Sequence, residues 1–397
     1  MSDQLAQLDA LIVGGGISGL LTLEALHAKG CSAWLVEHRA LGCGQTIWSQ
    51  GIIHGGLKYA LGGVAGAAAR SVSGMPERWR SMLEGLAAPN LSGVALRADA
   101  CAIWPWTSAS SLAGLLAAKL ALQTRPTRWA ANERPPALAK IAGQVLRVAE
   151  PVLEPASLLR VLGSMHASRL LLGHVQGCRE SERHVEVEVA LGDHTIQIEA
   201  GHLVFLAGGG NAALRTMAGV DEVAMQTRGL RMVLARGSLP VLNGHCIRGT
   251  RPWLTITTAA HEADHRVWQI GGELAEWGAT RSPADTIARA AAEVAQALPG
   301  VSMEGAQWST YEAPRAEHVT AGGRRPDLPT VLEEGRVLTG WPTKLALAPL
   351  LADDIASRIA PRHPAAPVPP HVQRPGVATP PWMESCRWIT APSDAPA

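Results

Sequence analysis

The chain has 397 residues and carries 35 Lys and Arg against 34 Asp and Glu, a net charge of +1. A single core rarely grows beyond roughly 250–300 residues, so two domains are expected. The even charge balance shows no clustered basic excess and argues against nucleic acid as a partner. The six cysteines (Cys31, Cys43, Cys101, Cys178, Cys246, Cys386) contain no CxxC pair, which argues against a disulfide framework or a zinc site and suits a reducing, cytoplasmic setting.

In chain order, "DALIVGGG" is an apolar run reaching a glycine cluster, and "ISGLLTLEALHAKG" continues at helical spacing to a closing Gly30. This first apolar stretch carries four glycines and no basic leader, so it reads as neither a signal peptide nor a transmembrane segment. "CSAWLVEHR" is a second buried strand, completing a parallel strand, helix, strand unit. Helical spacing then predicts helix from Pro76 to about Gln123, in "PERWRSMLEGL" and "SSLAGLLAAKLALQ".

"QVLRVAEPVLE" is strand-like, "EPASLLRVLGSMHAS" a helix with Pro in its first turn, and "RLLLGHVQGC" a strand. "HVEVEVALGDHTIQIEA" alternates as a hairpin turning near Gly192 and Asp193, and "GHLVFLAGGGNAALRTMAG" repeats the strand, glycine turn, helix theme. Residues from about 221 to 275 are mostly strand, "SPADTIARAAAEVAQAL" is a helix, and "GRVLTGWPTKLALAPLLADDIASRIA" is again strand, turn, helix. Ten prolines in the last 37 residues exclude regular helix or central strand there. Thirteen Trp beside one Phe and two Tyr make Trp the principal aromatic available to the core.

This order predicts an α/β fold. A discontinuous Rossmann-like nucleotide-binding domain is expected over 1–75, 148–215 and 308–360. A second, α+β domain on a mixed or antiparallel sheet is expected over 76–147 and 216–307, followed by a Pro-rich arm over 361–397.

"GGGISG" places Gly14, Gly16 and Gly19 at the GxGxxG spacing: the first for the tight turn, the second for approach to a pyrophosphate, the third for close helix–strand packing. Glu37, at the end of the second strand, suits ribose hydroxyls. "LVFLAGGGNA" offers a second GxGxxA (Gly208, Gly210, Ala213), but Asp221 and Glu222 follow too soon to serve it. It reads instead as a strand returning to the first dinucleotide site.

The N-terminal fingerprint, "VLEPASLL" followed by "LVFLAGGG", and "LTGWPTKLALAPLLADDIA" together resemble the D-amino-acid oxidase superfamily of FAD-dependent oxidoreductases. Within it, "QGIIHGGLKY" resembles the branch of glycerol-3-phosphate dehydrogenases and L-2-hydroxyglutarate oxidases. The resemblance implies an FAD-binding domain and a substrate domain. It assigns the cofactor to Gly14, Gly16, Ile17, Ser18, Gly19, Glu37 and His38, to Gly44, Thr46, Ser49, Gln50 and Gly51 of the following loop, and to Val175, Ala207, Gly208, Gly340, Lys344 and Leu345. Gly42 belongs to the same loop. Ser49 follows Trp48 where amine-oxidising relatives carry a flavin-linked His, so noncovalent FAD is expected.

The resemblance also implies the chemistry: oxidation of a small anionic substrate, a 2-hydroxy acid or polyol phosphate, with hydride passing to flavin N5 and reoxidation by O2 or another acceptor. His54 would lie close to the flavin ring and act as base, since an imidazole titrates near neutrality. "EAPRAEHVTAGGRRPDLPTV" aligns Arg315 with a substrate-anion arginine, ahead of a stretched string of Pro326, Asp327 and Pro329. Lys344 stands where relatives carry Gly before the helix that points at the flavin. His166, His174, His245, His261, His265 and His318 show no metal-ligand spacing and read as surface or structural residues. The alternatives are an amine or amino-acid oxidase, and a flavoprotein subunit without turnover whose C-terminal arm docks a partner.

Overall fold

A computed structural model describes residues 6–55, 72–106, 126–220, 222–249, 251–261, 265–384 and 386–390. In chain order the elements begin with β1 (Ala6–Val13), α1 (Ile17–Ala28), β2 (Ala33–Glu37), α2 (Met75–Leu83), β3 (Leu96–Ala98), β4 (Cys101–Pro105), β5 (Thr127–Arg128), β6 (Leu146–Val148) and β7 (Val152–Leu153). They continue with α3 (Pro155–Met165), β8 (Leu170–Leu172), β9 (His174–Glu180), β10 (Val185–Leu191), β11 (His194–Phe205), α4 (Asn211–Met217) and β12 (Met225–Arg228). Next come β13 (Arg231–Gly237), β14 (Gly244–Arg248), β15 (Arg251–Ala260), β16 (Arg266–Gly271), α5 (Glu273–Gly278), α6 (Pro283–Ala297), β17 (Gln307–Glu312) and β18 (Arg315–His318). The last are β19 (Thr330–Glu334), β20 (Val337–Trp341), α7 (Ala348–Arg358) and β21 (Ile389–Thr390).

The chain divides into two compact units. Unit one is 1–49, 155–228 and 315–379; unit two is 50–154, 229–314 and 380–397. The first break therefore falls after Ser49, where the sequence reading put it after residue 75, and the proline-rich end is shared between the units.

Unit one is built on a sheet ordered β19-β20-β11-β1-β2-β8, with β10 and β9 continuing from β11. β1 runs parallel to both β2 and β11, so the turn after β1 opens at the carboxyl ends of three neighbouring strands. All five residues of β2 are buried, as a parallel strand covered on both faces requires. α1 packs along α7, and Lys29 Nζ donates to the carbonyls of Ala356 and Ile359 at 2.8 and 2.7 Å, capping the end of α7. A cation at a helix C-terminus contributes about 0.3–1 kcal/mol. The hairpin expected around Gly192 is β10 and β11.

Unit two holds a nine-stranded sheet, β21-β17-β13-β16-β15-β14-β4-β6-β5. One face carries the apolar core (Val233, Leu254, Ile256, Trp268, Ile270, Trp308) against α5 and α6, whose buried Leu274, Ile287 and Val294 join it. α6 starts at Ser282, whose hydroxyl accepts from Asp285 N, with Pro283 in the first turn. Trp is indeed the core aromatic: Trp79, Trp104, Trp268 and Trp308 are fully buried here, and Trp341 in unit one. Partly exposed Trp253 and Trp277 alternate with guanidinium groups, Arg248 lying over Trp106 and Trp253 and Arg289 over Trp253 and Trp277 at 4.2–5.5 Å.

One expectation is corrected. Helix from Pro76 to Gln123 is confined, among the described residues, to α2. The turn-forming "PNLSG" then breaks the chain, and the wholly buried "CAIWP" forms β4. The "SSLAGLLAAKLALQ" segment, the stretch after Gly55 and Asp221 lie outside the described residues. The proline-rich arm is laid along its own chain: Trp34 Nε1 donates to Ala366 O and Leu41 N to Gly376 O in unit one, and in unit two Trp382 packs with Leu234 and Val267 before β21 adds an edge to β17.

Candidate functional site

In unit one the glycine turn is held from several sides. Gly14 has φ of +116°, and a Cβ there would stand 2.6 Å from Leu206 O, so only glycine admits the strand β11 so close. Gly15 N donates to Glu37 Oε2 at 2.7 Å and Ile17 N to Thr46 Oγ1 at 3.1 Å. Glu37 also accepts from Arg39 N at 2.9 Å and lies 3.1 Å from His38 Nδ1. Gly16, the N-cap of α1, has no side chain to cap that end, and Thr46 Oγ1 takes the first N–H of the helix, that of Ile17; Ser18 and Gly19 are buried in the first turn. Asn211, fully buried, accepts from Ala207 N and donates to Gly340 O, tying the turn after β11 (Ala207, Gly208) to β20.

Lys344 and Leu345 follow Thr343, a non-glycine residue at φ of +60°, and the Lys344 carbonyl accepts from Leu347 N in the turn that leads into α7. Val175 is buried on β9 opposite Val189. Ser49 Oγ, Trp341 Nε1 and Thr343 Oγ1 are buried without a partner among the described residues. Unsatisfied buried groups of this kind, with a helix start whose N-cap is glycine, fit a large polar cofactor carrying phosphates and hydroxyls. Arg315 is half-buried on β18, opposite Arg228 of β12, and its neighbour Ala316 N donates to Gln45 Oε1.

In unit two the loop residues take other roles. Gln50, expected at the cofactor, spends both amide hydrogens on Thr255 O and Gln269 O at 2.9 Å each. Gly51, at φ of +77°, lies against Leu153, where a Cβ would stand 2.0 Å from the carbonyl oxygen; its glycine is needed by the protein's own backbone. Residues 51–53 run antiparallel to 151–153, through Leu153 N to Gly51 O, the Ile52–Val152 bridge and Ile53 N to Pro151 O. That register brings His54 beside Glu150, and Gly55 N donates to Glu150 Oε1 at 2.5 Å.

Glu150 is 1 % exposed, and Oε2 faces two imidazoles: His54 Nδ1 at 3.7 Å and His245 Nε2 at 3.8 Å, the rings 5.5 Å apart. His245 arrives through β14, which pairs with β4, which pairs with β6 just ahead of Glu150. His245 Nδ1 lies 2.9 Å from Thr255 Oγ1. Burial alone would raise the Glu150 carboxyl, but pairing with His245 and His54 outweighs it and holds the pKa at about 2. The adjacent buried Cys101 thiol is pushed well up by burial and by the Glu150 charge, which leaves it a neutral wall of the cluster.

The sequence reading singled out His54 and missed Glu150 and His245. An acid inside the apolar run "RVAEPVLE" was the available signal for the first; His245 in "NGHCIRG" had none beyond its strand context. His166, read as structural, is buried with Nε2 3.1 Å from Glu24 Oε2 in unit one.

The model of the FAD dependent oxidoreductase family DAO matches residues 9–357. A probable FAD-dependent oxidoreductase of Pseudomonas aeruginosa is 38% identical over 391 residues, 96% of this chain and 98% of that protein. The crystal structure of an FAD dependent oxidoreductase from the same organism superposes with TM-score 0.81 and 35% identity, covering 96% of this chain and 98% of that one. The fold is also that of L-alpha-glycerophosphate oxidase from Mycoplasma pneumoniae (TM-score 0.65, 14% identity, 90% and 97% covered) and of glycine oxidase from Geobacillus kaustophilus (TM-score 0.62, 16% identity, 89% and 95% covered). No described helix is long and apolar enough to cross a membrane. The chain belongs to the DAO family of FAD-dependent oxidoreductases, and FAD is its cofactor.

Proposed function

We propose that the enzyme oxidises a CH–OH carbon of a small anionic substrate, a 2-hydroxy acid or a polyol phosphate. The observation that carries this reading is the pairing of His54 with a buried, ionised Glu150. An alcohol loses hydride readily only as its hydroxyl proton leaves, so a base is needed, whereas a neutral amine needs less help. Unit one is the FAD-binding domain in this proposal: the Gly14–Gly19 turn and the start of α1 take the pyrophosphate, and Glu37 with His38 lies at the ribose. Thr46, Ser49, Val175, Ala207, Gly208, Gly340, Lys344 and Leu345 complete the cradle. Bound noncovalently, the flavin supplies the two-electron acceptor, and O2 or another acceptor regenerates it.

Unit two is the substrate domain, with His54 taking the hydroxyl proton. Arg315 binds the substrate anion, its guanidinium offering two parallel donors to a carboxylate or phosphate. The scattered cysteines, none paired among the described residues, suit a cytoplasmic enzyme.

Anaerobic mixing with 2-hydroxy acids, glycerol phosphate and amino acids, followed by flavin absorbance, tests the proposal. Bleaching by a hydroxy acid or polyol phosphate is expected. Bleaching by amino acids alone would replace it with amine oxidation, and an inert flavin across the panel would leave a subunit without turnover.

A further inference from the structure

We propose that Glu150 is a positioning residue whose carboxylate fixes the tautomers of two histidines, so that His54 carries its proton on Nδ1 and presents Nε2 as the basic nitrogen. This rests on the reading of His54 as base and goes beyond it in naming what makes that imidazole a base.

The geometry around Glu150 leaves few options. Oε1 is committed to Gly55 N at 2.5 Å, which anchors the carboxylate to the residue next to His54. Oε2 is buried, has no hydrogen-bond partner within normal range among the described residues, and faces His54 Nδ1 and His245 Nε2 at 3.7 and 3.8 Å. A carboxylate can only accept, so its negative charge favours hydrogen on each nitrogen that faces it, across separations longer than a hydrogen bond. For His245 this agrees with its other side: with the proton on Nε2, Nδ1 accepts from the Thr255 hydroxyl 2.9 Å away. For His54 it leaves the lone pair on Nε2, on a ring that keeps 36% of its side-chain surface exposed while Glu150 and His245 keep 1% and 3%.

The three residues also have the composition of a metal-ligating set, their ligand atoms within 4.8 Å of one another. Glu150 Oε2 and His245 Nε2 are buried, so it is the His54 side of the cluster that meets solvent. With FAD bound to accept the hydride, the substrate hydroxyl proton would pass to His54 Nε2. The resulting imidazolium then keeps its Nδ1–H toward the Glu150 charge, which stabilises it. Among the described residues, the titratable groups that face Glu150 are His54 from the 51–55 segment, His245 from β14 and Cys101 from β4.

The test is the tautomer itself, read by long-range proton–nitrogen NMR on histidine-labelled resting protein with both imidazoles neutral, the signals assigned with His54→Gln and His245→Gln. Expected are hydrogen on Nδ1 of His54 and on Nε2 of His245. Glu150→Gln should reverse both, because an amide can donate to the nitrogens that a carboxylate obliges to donate. The same variant should slow flavin reduction by a hydroxy substrate roughly 10²-fold or more with little change in substrate saturation, the wrong tautomer having removed the base. Glu150→Asp, which keeps the charge, should retain the wild-type tautomers.

His54 protonated on Nε2 in the wild type, or tautomers indifferent to Glu150→Gln, would overturn the proposal. So would a stoichiometric metal ion in purified protein that Glu150→Gln releases. Should the glutamine variant fail to fold, the wild-type and Glu150→Asp spectra still decide. Undiminished flavin reduction in His54→Ala would refute the base reading alone, because the tautomers are measured without turnover.

Discussion

Glu37 Oε2 accepts the backbone N–H of Gly15 at 2.7 Å, so the acid at the end of β2 holds the dinucleotide turn in place as well as lying where a ribose is expected. Its other oxygen accepts from Arg39 N at 2.9 Å. Glutamine offers one acceptor oxygen for two backbone donors, and an unsatisfied buried N–H costs about 1–3 kcal/mol. Glu37→Gln should therefore lower the stability of the FAD-free protein by that amount as well as weaken FAD binding. Denaturant unfolding without FAD separates the two effects; unchanged stability would show that the turn holds without this carboxylate.

Gly19 marks the closest approach within the same turn: a Cβ there would stand 2.0 Å from Gly14 O, which is backbone and cannot rotate away. Overpacking of this kind costs about 1–3 kcal/mol or more. Gly19→Ala should reach or exceed the upper end of that range and release FAD on dilution, both visible by flavin fluorescence during thermal unfolding.

Arg315→Lys should raise the apparent KM for an anionic substrate much more than it lowers the limiting rate, because a lysine replaces a bidentate fork with a single point charge. Steady-state kinetics at fixed ionic strength decide it. Saturation unchanged from wild type would remove Arg315 from the substrate site.

Lys344 precedes the turn into α7, whose N-terminal dipole already favours negative charge. If its ammonium acts on the reduced flavin, Lys344→Met should lower the two-electron potential by roughly 30 mV, a tenfold shift in that equilibrium, and weaken the sulfite adduct. A potential equal to wild type with FAD fully bound would leave only the backbone of this residue at the cofactor.

Glu150 also predicts a pH dependence. Its folded pKa of about 2 lies below the ordinary carboxyl value of 4.5, so it stabilises the fold fully above 4.5 and progressively less as the pH falls toward 2. The stability difference between wild type and Glu150→Gln should shrink across that acidic window. Denaturant titrations at stepped pH measure it, and a difference as large at pH 2 as above pH 4.5 would contradict the shift.

What the sequence determined by itself is local. The Gly14, Gly16, Gly19 turn with Glu37 was legible because strand, turn, helix and strand follow one another and each glycine answers a backbone requirement. The β10–β11 hairpin was legible because period-two alternation on both sides of Gly192 sets its register. What only the tertiary structure decided is non-local. Gln50 looked like a cofactor ligand by position, yet two strands of the unit-two sheet take both its amide hydrogens. Glu150 and His245 join His54 only because residues 51–53 pair with 151–153 and because β6, β4 and β14 are neighbours in one sheet. Periodicity fixes which face a side chain takes within its own strand. Which strand lies alongside is settled by the packing of the whole sheet, and that pairing places a buried carboxylate between two imidazoles.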